Sequence, residues 1–136
     1  MNGGLALAAG ALYVGISETT AHVHAYDFDG HLLAPGFSFR GEDDEAAGVT
    51  GLCVDGDRRL WIADGAGACL WGFSVFGKCL ARVPGEEEDR TGSLGRPVAV
   101  ASVGEDTEQE LVVASRGTRR HALHVLPVEA GAGRAL

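Results

Sequence analysis

The chain has 136 residues, 46% of them hydrophobic, which suits one domain with a real core. Its 21 glycines stand against only 4 prolines, a balance that excludes collagen-like and linker compositions and points to many tight turns between short strands. The formal charge of −8 argues against a nucleic-acid backbone as partner.

In chain order, the first predicted strand is Leu5-Ala6-Leu7-Ala8, small enough for a crowded inner edge. Further strands are expected at residues 12–16, 22–26 and 32–39. The order returns at 52–55, 60–64, 69–73 and 80–83, and again at 98–102, 111–115 and 122–126. Leu12, Leu60 and Leu111 open the second strand of each set, 48 and then 51 residues apart. Residues 22–33 align with 69–80 at a constant offset of 47, which sets Tyr26 on Phe73, Gly30 on Gly77 and Leu33 on Leu80. An aromatic residue followed four places on by Gly reads as strand, turn, strand, with Gly supplying the positive φ of a two-residue hairpin.

The middle strands are apolar on both faces: Leu60 and Ile62 on one, Trp61 and Ala63 on the other. A sheet with a wet face would alternate, so each sheet is expected to be covered on both sides by its neighbours. Helical periodicity is absent. An all-β repeat of about 40–50 residues predicts a β-propeller rather than a helical solenoid. The chain then reads as one segment of three four-stranded antiparallel blades, at about 4–40, 48–85 and 95–136. For the last blade's fourth strand only the Ala/Gly-rich residues 128–136 remain.

The second repeat can be matched to a family. Gly48-Val49-Thr50-Gly51-Leu52-Cys53-Val54-Asp55, Arg59-Leu60-Trp61-Ile62-Ala63-Asp64, Trp71-Gly72-Phe73 and Gly77 together resemble an NHL repeat, and Gly95-Arg96-Pro97 carries that family's Pro at the third repeat. The family's Asn-x-Arg turn is replaced by Gly65-Ala66-Gly67 and by Arg116-Gly117-Thr118. Its strand-closing Asp stands only at Asp64, with Ile16 or Ser17 and Ser115 at the other two places. No Trp-Asp closes a strand, which disfavours WD-type repeats; other six-bladed propellers, such as the gluconolactonase-like ones, are the minority alternative. The resemblance implies a non-enzymatic propeller that binds a protein or peptide across one ring face. The alternative it implies is a metal-dependent lyase or lactonase-like enzyme.

Propellers close with four to eight blades. Three blades are therefore expected to pair with a second copy into a six-bladed ring, or to belong to a longer propeller. The acidic clusters at 42–45 and 86–89 and the basic Arg116, Arg119 and Arg120 suggest an inter-subunit contact between that basic turn and Glu18 of a second copy.

Few residues suggest chemistry. His22 and His24, at i and i+2 of one strand, point to one face as metal ligands do, and His124 stands at the repeat-equivalent place to His24. No further ligand can be assigned, so no metal or other cofactor is expected and a metal enters only as the alternative carried by these three histidines. Asp55 and Asp64 close strands before Gly-containing turns and are expected to accept backbone N–H bonds there; Trp61 and Trp71 are expected to pack between blades. The three cysteines, Cys53, Cys69 and Cys79, form no CxxC and read as small buried hydrophobes. No apolar stretch reaches the roughly 20 residues that cross a bilayer, and the start lacks a signal's basic residues, so neither membrane nor nucleic-acid partner is expected and the address is read as cytoplasmic.

Overall fold

The computed structural model describes residues 2–8, 10–17, 20–39, 48–84, 95–104, 108–116 and 121–128. Sheet 1 comprises β1 (Asn2–Ala8), β2 (Ala11–Ser17), β3 (Ala21–Tyr26) and β4 (Leu32–Phe39). Sheet 2 comprises β5 (Gly51–Val54), β6 (Arg59–Asp64), β7 (Cys69–Ser74) and β8 (Cys79–Pro84), and sheet 3 comprises β9 (Arg96–Val103), β10 (Gln109–Arg116) and β11 (His121–Val128). The protein is all-β: each sheet keeps its strands in chain order, every pairing is antiparallel, and no helix occurs among the described residues. A fourth strand for sheet 3 was expected within 128–136; all of that stretch but Val128, which ends β11, lies outside the described residues.

The turns follow from local chemistry, with one correction. After β3 and β7 the loop is not a two-residue hairpin. Asp27 N donates to His31 O and Gly30 N to Asp27 O, and the same pair recurs from Ser74 N to Lys78 O and from Gly77 N to Ser74 O. These are three-residue loops, a tight turn followed by a left-handed residue, with Gly30 at φ 88° and Gly77 at φ 94°. The β5–β6 turn has the same bonds, Asp55 N to Arg59 O and Arg58 N to Asp55 O, but places Arg58 at φ 62° where the others use Gly.

The sheets stack face to face, with the first strands adjacent: β1 lies against β5, and β5 against β9. The approach is close enough that a Cβ on Gly4 would sit 3.2 Å from Leu52 Cβ, and one on Gly51 2.9 Å from Ala99 Cα. Strand alternation gives each sheet two faces. The leading face of sheet 2 (Leu52, Leu60, Ile62, Trp71, Phe73) forms one core with Ala21 and Val23 of sheet 1. Its trailing face (Trp61, Ala63, Leu70) forms a second core with Val100, Leu111 and Val113 of sheet 3. Phe37 and Phe39 add rings to the first core, at 5.2 and 5.0 Å from Phe73. Every residue of β6 is buried, as two-sided cover demands.

Sheets 2 and 3 are also joined by hydrogen bonds. Thr50 Oγ1 donates to Pro97 O (3.1 Å), Ser102 Oγ to Val54 O (3.2 Å), Arg96 Nη1 to Gly65 O (3.0 Å) and Gly56 N to Gln109 Oε1 (2.8 Å). The small first strand does not sit in a crowded environment on both sides. Ala6 packs on the first core, but Leu5 and Leu7 are exposed, because no sheet among the described residues packs on the leading face of sheet 1.

Candidate functional site

The two carboxylates that close strands in sheet 2 are structural. Asp55 accepts from Asp57 N (2.8 Å) and Arg59 N (3.0 Å) through Oδ1, and from Arg59 Nε (2.7 Å) and Trp61 Nε1 (2.8 Å) through Oδ2. Asp64 accepts from Gly48 N (2.9 Å) and Gly67 N (2.7 Å) through Oδ1, and from Trp71 Nε1 (3.0 Å) through Oδ2. The backbone bonds were expected from the sequence; the indole bonds and the Arg59 pair were not. They satisfy the polar edges of two buried tryptophans and leave neither carboxylate free for acid–base work.

Two of the thiols, Cys53 and Cys69, are equally unsuited to catalysis. Burial, reinforced by the Asp55 carboxylate, pushes the Cys53 thiol up to about 12; burial and Asp64 do the same to Cys69. Neither is a thiolate at neutral pH. Cys69 is buried as expected, Cys53 is half-buried, and Cys79 is exposed, contrary to a uniformly buried set. All three are free.

His22 and His24 do share a face, their rings stacked with centroids 6.2 Å apart, and Tyr26 continues the row at 6.5 Å from His24. That face points away from sheet 2, since the alternate residues Ala21 and Val23 pack on it. The His24 ring lies against Gly36, where a Cβ would come within 2.5 Å of Nδ1, and this buried nitrogen has no hydrogen-bond partner. His124 is on β11, opposite Val113 on the leading face of sheet 3, with sheet 2 between it and the other two histidines. The structure does not bring the three together.

Asp27, Asp29 and His31 are the one group among the described residues whose ligand atoms converge enough for a metal, in the exposed β3–β4 loop. Asp27 is engaged there with the backbone: its Oδ1 accepts from Asp29 N and His31 N, both at 2.9 Å, and these bonds, the one from His31 first, hold its carboxyl below the usual aspartate value. Of the expected inter-subunit residues, Arg116 ends β10 and is exposed, while Glu18, Arg119 and Arg120 lie outside the described residues.

The structure also offers a pair of open, largely apolar sheet faces, the first of which, on sheet 1, carries Leu5 and Leu7 beside the His22, His24 and Tyr26 row. Register defines equivalent positions: Leu5 opposite Val14, Leu52 opposite Ile62 and Val100 opposite Val113. Leu52 and Val100 are 6% and 8% exposed; Leu5 is 68% exposed. On trailing faces, Val23 opposes Gly15, Leu70 opposes Ala63 and Leu123 opposes Ala114. Val23 and Leu70 are 2% and 0% exposed; Leu123 is 72% exposed. The leading face of sheet 1 and the trailing face of sheet 3 therefore present, uncovered, what the stack covers elsewhere. Patches of this kind mark interaction surfaces. Across the Arg116 end of the sheet 3 face runs an open groove of about 540 Å³, lined by Val98, Ala114, Ser115, Arg116, Ala122 and Leu123. Composition could not reveal these faces, because Leu5 and Leu123 read like their buried equivalents.

No protein-family model matches the chain, and no curated protein shows significant similarity to it. Among the described residues no helix is long and apolar enough to cross a membrane.

Proposed function

We infer that the chain is a segment of a β-propeller of the NHL kind and that it works by binding protein rather than by catalysis. The observation that carries this reading is the contrast between Leu52 and Leu70, buried, and their register equivalents Leu5 and Leu123, exposed. Three antiparallel sheets with first strands side by side and repeated leading-to-trailing contacts are what successive propeller blades would give. Uncovered apolar sheet faces favour a macromolecular partner over a small substrate. The engaged carboxylates, the protonated Cys53 and Cys69 and the separated histidines support binding over chemistry.

Metal analysis of the purified chain, paired with selection from a displayed peptide library, tests the reading. The expected outcome is no stoichiometric zinc or calcium, and enrichment of peptides that bind the chain. One tightly held metal per chain, lost in His24→Ala, would overturn it in favour of the lyase or lactonase-like alternative.

A further inference from the structure

The contact between sheets 1 and 2 and the contact between sheets 2 and 3 are one interface used twice. In both, Leu52 or its equivalent Val100 on the leading face meets the trailing face of the sheet before it, where Val23 or Leu70 lies buried. In both, a Cβ at the equivalent positions Gly4 and Gly51 would touch the next sheet's first strand. The third sheet offers the trailing half again over its three described strands, without the fourth strand that supplies Phe37 and Phe39 or Ala81 and Val83 to the other two contacts. The first sheet offers the leading half, with His22, His24 and Tyr26 on β3 where sheet 2 has Cys69, Trp71 and Phe73 on β7.

We propose that a second copy of this chain seats its sheet 1 on sheet 3 of the first, and that the reciprocal contact closes a ring of six sheets. The proposal rests on the stacked-blade reading above and names the occupant of its open faces. Self-complementarity argues for the second copy over an unrelated partner: both halves of an interface already formed twice within the chain are exposed at its two ends. The groove supports the same occupant. On the trailing face of sheet 1 the matching place, over Gly15, is filled by Val49 from the residues leading into β5; a Cβ on Gly15 would lie 2.7 Å from Val49 Cγ1, and Val49 is fully buried. In a second copy the backbone at the start of β1 stands at the equivalent position, three residues before Leu5 as Val49 is three before Leu52. Such a contact is head-to-tail, and head-to-tail contacts either close into rings or grow into filaments. Six sheets fall within the four to eight at which propellers close.

The geometry supplies a paired test. Gly4, Gly51 and Ala99 are register equivalents, opposite Gly15, Ala63 and Ala114. Since Gly4 faces Leu52, Ala99 faces Leu5 of the second copy. In a Cys79→Ser background, Gly4→Cys with Leu52→Cys probes the contact inside the chain, and Leu5→Cys with Ala99→Cys probes the contact between copies. On mild oxidation the first pair forms an intramolecular disulfide and the second a covalent dimer linked from position 5 to position 99. As a second measurement, Leu7→Asp and Leu123→Asp are each monomeric alone, but an equal mixture pairs, because one contact keeps both faces intact.

A bond at 4–52 without one at 5–99 overturns the second copy and leaves the stacked sheets standing. Failure of both bonds overturns the stack as well. A 5-to-5 bond, a dimer surviving in either Asp variant alone, or open-ended growth of the unmodified chain overturns the closed head-to-tail ring.

Discussion

The middle sheet and the two end sheets share one strand pattern and differ in what touches them. In sheet 2 both faces are covered, and β6 has no exposed residue. In sheets 1 and 3 one face is covered and the other carries Leu5, Leu7, Leu123 and Val125 into solvent. The difference is positional rather than compositional. An apolar strand records that a neighbour belongs on each side; only the stack determines which neighbours the chain itself provides.

Equivalent substitutions should break that symmetry most visibly. Leu70→Ala empties a fully buried place and should cost about 2–5 kcal/mol in urea unfolding. Leu123→Ala, at the matching place on the open face, should cost under about 0.5 kcal/mol when the chain is held monomeric by Leu7→Asp. Equal costs would mean that the faces are not what distinguishes the sheets.

The strand-closing positions give the next contrast. Asp64→Ala leaves two backbone N–H groups and the Trp71 indole without an acceptor and should cost about 2–3 kcal/mol. Ser115 is its register equivalent, opposite Ala122 as Asp64 is opposite Cys69, and its buried hydroxyl has no partner. Ser115→Ala should be neutral or stabilise by up to about 1 kcal/mol.

The thiols tie the covered sheet to pH. In the unfolded chain Cys53 and Cys69 lose their protons near 9, whereas the folded chain keeps them to about 12. Their contribution is therefore complete below pH 9 and is lost as pH rises towards 12. Stability should fall by at most about 1.4 kcal/mol per pH unit per thiol in that window, less where solvent screens the group. At pH 8 a thiol reagent should label the exposed Cys79 alone until the chain unfolds.

A turn gives the last contrast. Arg58 occupies a left-handed place that Gly30 and Gly77 hold elsewhere, so Arg58→Gly should stabilise by about 0.5–1 kcal/mol, read from the shift in the urea midpoint.

Much of this fold was legible in the sequence. The fourth strand of the first repeat was placed at 32–39, as found, and the two-sided apolar pattern at 60–63 did mark a sheet covered on both faces. The loops were read one residue short, because a Gly at positive φ serves both a two-residue hairpin and a three-residue loop and does not choose between them. The histidine pair was legible as a pair, but its distance from His124 depends on the intervening sheet. Arg59 and Gln109 gave no signal of their roles, since the bonds to Asp55, Asp57 and Gly56 join groups that only the turn and the stacking bring together.

The mass of the unmodified chain in solution, measured by light scattering across the micromolar range, bears most directly on the claim that its open faces complete each other. A constant value of twice 14.1 kDa is the expected result. A stable monomer at every concentration would contradict it.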